Sequence, residues 1–310
     1  MTVSPTPEYP GFGSDNSTQN SEGDSSSGSL DWLNIPSLLI ALVGLLGNGA
    51  VLWFLGFRIR RTPFSVYILN LAAADALFLC FSFLRSILTF SEFFDLTCEI
   101  LLFLTYIFYI AGLSLLTVIS TERCLSALFP IWYRCHRPKH RPVAVCAGLW
   151  ALSGMFWLLP FVLSDSFHHN IFTFVTILGT WLLLLTCVMC VSSLTLLLKI
   201  PCSSQPRQHP RLYLLVLLMV LVFLLCGLPW GIWDSMYFLS KIDPIMYWLF
   251  NLLACVNSSV NPLIYFFVGR LGNRRREPLR VVLQRALGNE LELGGRTTNT
   301  PHTSSSETTF

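Results

Sequence analysis

Apolar residues in this chain gather into seven long runs joined by short polar segments. The runs fall at Leu33–Phe57, Ser65–Phe90, Thr97–Leu128, Pro142–Ser164, Ile171–Lys199, Leu212–Leu239 and Pro244–Val268. Each reaches about 20 residues or more, the length a helix needs to cross hydrocarbon. Lipid offers no water to backbone N–H and C=O groups, so such runs form helices that satisfy their own hydrogen bonds. The pattern predicts an all-α membrane protein, a bundle of seven transmembrane helices. A shorter pattern follows: from Pro278 to Leu287 apolar residues recur at helical spacing, with Arg280 and Arg285 between them. This predicts a short amphipathic eighth helix lying on an anionic leaflet. The expected organisation is a disordered N-terminus over 1–32, the bundle over 33–268, the amphipathic helix over 269–288 and a disordered tail over 289–310.

Composition and charge add an orientation. The 310 residues are 53% hydrophobic and 12% charged, where a soluble domain carries about 25% charged residues. Of 20 Lys and Arg, 18 fall at the ends of, or in the segments after, the first, third, fifth and seventh runs, leaving Arg85 and Lys241 on the other side. Basic loops face the cytoplasm, so the N-terminus is expected outside and the tail inside. The net charge of +3 follows from this siding, and no nucleic-acid partner is expected. Met1–Asp31 is polar with no Lys or Arg. It is read as no cleaved signal peptide, with the first run inserting the chain. Asn16-Ser17-Thr18 is a glycosylation sequon on the outer side. Most of the ten cysteines lie within or at the ends of runs, and Cys98 alone sits near the outer side. Neither a disulfide framework nor metal-ligand spacing emerges; no metal or cofactor is expected, and His168-His169 is read as a solvated pair.

Polar residues inside the runs carry the chemistry. Asp75, in Asn70-Leu71-Ala72-Ala73-Ala74-Asp75, is an ionisable group near mid-membrane that must face the bundle interior and find polar partners. Asn48, Asn257, Ser258 and Asn261 are the candidates. Its plain reading is interhelical glue; its functional reading is a cation or proton site that biases a switch. Glu122-Arg123 closes the third run at its cytoplasmic end, with Trp132, Tyr133 and a basic loop after it. A snorkelling pair is the plain reading, a docking surface for a cytosolic partner the functional one. Pro229 and Pro262 each remove a backbone hydrogen bond and kink their helices; Pro262 stands in Asn261-Pro262-Leu263-Ile264-Tyr265. A membrane enzyme would need a cluster of nucleophile, base or metal ligands, and a transporter repeated halves with broken helices. The sequence offers neither.

The order Gly47-Asn48, Leu71-Ala72 with Asp75, Glu122-Arg123-Cys124, Trp150, Pro229 and Asn261-Pro262 with Tyr265 resembles the rhodopsin-like G-protein-coupled receptors over nearly the whole chain. A narrower resemblance, to the Mas-related receptors, lies in Gly112-Leu113-Ser114-Leu115-Leu116, Ser120 to Ser126, Phe129 to Cys135, Arg137-Pro138-Lys139-His140, Phe223 to Pro229 and Leu283-Gln284-Arg285-Ala286-Leu287. That family implies sensory signalling of the nociception or itch type, with peptides, amines or other small cationic ligands acting through phospholipase C or inhibition of adenylyl cyclase. It implies switch roles for Asp75, Glu122, Arg123, Phe223, Pro229, Asn261, Pro262 and Tyr265. Gly227 stands where the wider class has a Trp two residues before the proline, so Phe223 takes over packing there. Gly112 stands where the class has a Ser facing the Asp, which argues against sodium modulation. Cys98 has no partner in Ser164 to Phe174. Thr105, Pro160 and Val175 stand where relatives place the acids that bind amines.

Trp230, Asp234 and Tyr237 share one face of the sixth helix by spacing, as Leu102, Tyr106 and Tyr109 do on the third. With Arg85 they give the expected site for a small-molecule or peptide agonist, an apolar ligand with a cationic tip held partly by cation–π attraction. The plain reading of each aromatic is packing. The expected partners are a heterotrimeric G protein, arrestin at the Ser- and Thr-rich tail, and the lipid bilayer. The rival is a seven-helix scaffold that binds no ligand, against which Arg123 argues. The foot of the sixth helix offers His209 and Arg211 but no acid to hold Arg123, which implies basal signalling.

Overall fold

The computed structural model describes residues 24–59, 62–89, 96–135, 140–162, 167–199, 210–237, 244–271 and 278–287. Side chains are described for most of these positions, but not for 24–33, 156–175 or 234–245. The helices are α1 (Asp24–Trp53), α2 (Pro63–Thr89), α3 (Leu96–Leu128), α4 (Pro130–Cys135), α5 (Arg141–Val162), α6 (Phe167–Lys199), α7 (Pro210–Val222), α8 (Leu228–Tyr237), α9 (Pro244–Arg270) and α10 (Leu279–Ala286). π-Helical turns follow α1 at Phe54–Arg58 and join α7 to α8 at Phe223–Gly227. Among the described residues no strand occurs.

Local chemistry explains the helix starts. α2, α4, α7 and α9 each begin on a proline, whose fixed φ and missing N–H suit the first helical position. Ahead of Pro63, the Thr62 N–H donates to Ser65 Oγ at 2.7 Å and the Ser65 N–H to Thr62 Oγ1 at 3.2 Å. This reciprocal pair is a capping-box arrangement, and it fixes Phe64 between its two halves.

Among the described residues, six helices are long and apolar enough to cross a membrane by length and composition. Large apolar side chains point outward along them, including Leu46, Leu183, Val191 and Phe267. Water would penalise such an outer surface; hydrocarbon does not. The fourth expected span is α5, whose side chains are described as far as Met155. α3 runs through the middle, packed on α2, α5, α6 and α7, while α1 lies against α2 and α9. α10 returns onto α9, where a Cβ at Gly269 would collide with the Val282 carbonyl.

Three sequence expectations shift. α1 begins at Asp24 rather than Leu33, so part of the segment expected to be disordered is helical; the Asp and Ser residues there suit a helix start. The sixth span is not one kinked α-helix but α7, a π-turn and α8. The eighth helix is shorter than 269–288, because Gly269 and Arg270 complete α9 and α10 starts at Leu279.

Candidate functional site

The costliest buried group lies at mid-bundle. Asp75 on α2 is 5% exposed and accepts a hydrogen bond from Asn261 Nδ2 on α9 at 2.7 Å. Ser258 is its second side-chain partner. A small cavity adjoins the carboxyl, with about 20 Å³ open to the centre of a water-sized molecule, about the room one water needs. Asp75, Gly112, Asn257, Ser258 and Asn261 supply its polar or open walls. A Cβ at Gly112 would lie 4.0 Å from Asp75 Oδ1, so the glycine leaves space on the α3 side.

Of the candidate partners for Asp75, Asn48 is used elsewhere. Pro262 cannot donate to the carbonyl four residues back, that of Ser258. Asn48 Nδ2 donates to this oxygen at 3.0 Å and to the Gly44 carbonyl at 3.0 Å. The α1 asparagine thus satisfies the group that the α9 proline leaves bare, while the Pro262 ring sits against Gly47. One turn beyond Asn261, Tyr265 is fully buried, and its hydroxyl has no hydrogen-bond partner.

Toward the Arg85 end, aromatic rings fill the interior. Trp230 on α8 is fully buried; it stacks on Tyr106 at 4.7 Å between centroids and meets Tyr109 at 4.7 Å and Phe78 at 5.7 Å edge-on. Such pairs add about 0.5–1.5 kcal/mol each beyond area burial. The expected ligand aromatics Tyr106, Tyr109 and Trp230 therefore stack on one another. Phe78 completes the stack and was not singled out by spacing. Beneath it, the Phe223 ring lies against Gly227, where a Cβ would come within 2.6 Å of Phe223 Cδ2. The ring fills the space that a larger side chain at 227 would claim. Arg85 is 6% exposed and donates from Nη2 to Asn251 Oδ1 at 3.1 Å, tying α2 to α9.

At the opposite end lie Glu122 and Arg123. Glu122 accepts from the Tyr133 hydroxyl at 2.7 Å and from Tyr67 at 3.5 Å, and pairs with Arg141 Nε at 3.5 Å. The Arg123 guanidinium lies 4.2 Å from the centroid of Phe64, the residue framed by the α2 capping pair. Tyr133, half-buried, turns its hydroxyl onto the acid. Ile131 on the same short helix is 80% exposed. Phe64 and Tyr67 escaped the sequence reading because their partners lie on another helix, and Tyr133 and Arg141 were legible only as part of a basic segment, not as partners of Glu122.

Pro229 lies just past the π-turn, inside the start of α8. Asn16 and the side chains of Asp234 and Tyr237 lie outside the described residues. Among the described residues the cysteines are unbridged, Cys98 included, and no three His, Cys, Asp or Glu converge as a metal site requires.

Comparison with known proteins agrees with this geometry. The profile of the 7 transmembrane receptor (rhodopsin family) matches residues 47–265, from Gly47 beside Pro262 to Tyr265. The chain is 48% identical to Mas-related G-protein coupled receptor member X2 of Homo sapiens over 267 residues, 81% of each protein. It is 47% identical to the protein of the same name from Pongo pygmaeus over 273 residues, 83% of each. A buried Asp–Asn pair, a glycine-bound proline and an arginine at the end of the central helix thus occur within a family-wide match, and the chain belongs to the rhodopsin-family seven-transmembrane receptors, among the Mas-related G-protein-coupled receptors.

Proposed function

We propose that this receptor sits in the plasma membrane with its N-terminus outside, and that it relays a small cationic or peptide ligand, met at the outer face of the Trp230 stack, to a heterotrimeric G protein. Arg85 faces the acceptor groups of such a ligand, and Asp234 and Tyr237 stand on the same side by spacing. The role is sensory, of the nociception or itch kind suggested by the family resemblance. Arrestin binds the Ser- and Thr-rich tail after phosphorylation, and Asn16 carries a glycan.

The observation that carries the mechanism is the Asp75–Asn261 bond beside a cavity. It joins α2 to the Pro262-bearing α9 where side chains have room to change partners. The buried Tyr265 hydroxyl without a partner has a bond to gain when neighbouring helices move, and such a group costs about 1–3 kcal/mol while unsatisfied. Agonist favours the arrangement in which α7 swings outward and opens a cavity around Arg123 and Tyr265 for the G protein. Arg123 is then released from the Phe64 ring, and the exposed Ile131 helps seat the partner.

The test expresses the intact chain and Arg123→Ala at matched surface level and records calcium and cyclic AMP with a panel of cationic peptides and amines. A response that disappears in the variant supports the proposal. A response that persists undiminished contradicts it, and silence from both at full surface expression favours the scaffold.

A further inference from the structure

Tyr109 does more than pack. Its hydroxyl donates to the Gly227 carbonyl at 3.1 Å, and the hydroxyl oxygen in turn accepts from the Gly231 backbone N–H. Residues 227 and 231 are the two ends of one α-helical rung, so the hydroxyl sits astride the first rung after the π-turn. Two glycines make this possible. A Cβ at Gly231 would lie 2.6 Å from the Tyr109 hydroxyl oxygen, and one at Gly227 would meet Phe223. The Leu228 N–H bonds back to the Phe223 carbonyl, five residues earlier, which marks the point where α7 and α8 are joined least regularly. π-Turns of this kind cluster at functional positions. Tyr109 also touches the Trp230 ring above and the cavity beside Asp75 below.

We propose that the Tyr109 hydroxyl is the catch that holds the sixth span in its resting register. It is a positioning residue for activation, acting through the Gly227–Gly231 rung rather than by touching the G protein. α3 is the central helix of the bundle, whereas α7 and α8 must move together for the cytoplasmic end to open. A hydrogen bond from the fixed helix to the backbone beside the irregular turn restrains that motion at its pivot. Ligand pressure on Trp230 bears on Tyr109 through their ring contact and lifts the hydroxyl from the rung. The proposal rests on the receptor reading above, and its test includes a readout that needs no G protein.

Tyr109→Phe keeps the ring and removes the hydroxyl; Gly231→Ala leaves the hydroxyl but pushes it away. Each is compared with the intact chain at matched surface level for agonist-independent nucleotide exchange on G protein. Loss of one hydrogen bond that favours the resting state raises basal exchange about fivefold. In the double variant the new methyl no longer meets a hydroxyl, only the flexible Leu182 side chain, so its basal exchange stays close to that of Tyr109→Phe alone. Amide hydrogen exchange on the purified receptor reads α8 directly, and peptides spanning Gly231 exchange faster in both single variants. Unchanged amide exchange in both overturns the catch whatever the G-protein result. Faster amide exchange with unchanged or lower basal nucleotide exchange overturns its role as a restraint. A variant that misses the surface is judged by amide exchange after purification, and the other single variant decides the signalling arm.

Discussion

α2 makes two polar bridges five residues apart, and they are built differently. Asn70 is enclosed in bonds: its Oδ1 accepts from Trp150 Nε1 at 3.1 Å and its Nδ2 donates to the Val66 carbonyl at 2.8 Å. The Trp150 ring packs edge-on against Phe108 at 5.9 Å. Asp75 bonds Asn261 at 2.7 Å, yet beside it lie a cavity and the bare face of Gly112. A satisfied and packed polar pair has one low-energy arrangement, because movement would strand its groups in hydrocarbon. A pair beside space has a second arrangement within reach. The first bridge therefore stabilises the bundle; under the proposed mechanism, the second is where the bundle changes state.

The largest expected effect comes from breaking the second bridge on its α2 side. Asp75→Ala lowers agonist-driven nucleotide exchange by tenfold or more, at the upper part of the usual range of coupling between sites (about 5–150-fold). Its melting temperature does not fall, because the variant removes the burial cost of the carboxyl together with its bond. Filling the space is expected to act next. Gly112→Val puts methyl groups into the cavity, costs little stability, and lowers exchange by about fivefold by blocking the alternative arrangement. Trp150→Phe inverts the pattern: it destabilises the bundle by about 1 kcal/mol, read by thermal unfolding, while exchange per folded receptor is unchanged. The smallest change is Gly112→Ala. Its Cβ meets nothing closer than 4.0 Å, so stability moves by less than about 0.5 kcal/mol. Gly44→Ala gives the contrast, since its Cβ would collide with the Ser259 side chain that donates to the Ile40 carbonyl, and it lowers the melting temperature.

The spans were legible because length and apolarity are local properties. Asp75 was legible as a costly group, and Asn261 and Ser258 stood among its candidate partners. The use of Asn48 was not, since it depends on which carbonyl Pro262 leaves bare across the α1–α9 contact. The two prolines announced kinked helices without revealing the form. Pro262 is accommodated inside a continuous α9, whereas Pro229 follows an extra-wide turn set by Phe223 folding over Gly227. The aromatic stripes on the third and sixth spans had the right spacing, but periodicity cannot say whether two stripes face a ligand or each other. At the cytoplasmic end, Tyr133 followed Glu122-Arg123 in a basic segment and suggested a docking surface. Its inward turn onto Glu122 depends on Arg141 and Tyr67 gathering at the same acid, a convergence of three segments that no local pattern encodes.

The most direct test sets Asn261→Ala, which breaks the Asp75 bridge from α9, beside Trp150→Phe in the full chain. For each, the unfolding temperature and the nucleotide exchange per folded receptor are measured on one preparation. The account predicts a large loss of exchange per folded receptor for Asn261→Ala, beyond any fall in melting temperature from the carboxyl it leaves to Ser258 alone, and a lower melting temperature with unchanged exchange for Trp150→Phe. Equal losses of exchange in the two variants, or unchanged exchange in Asn261→Ala, would contradict it.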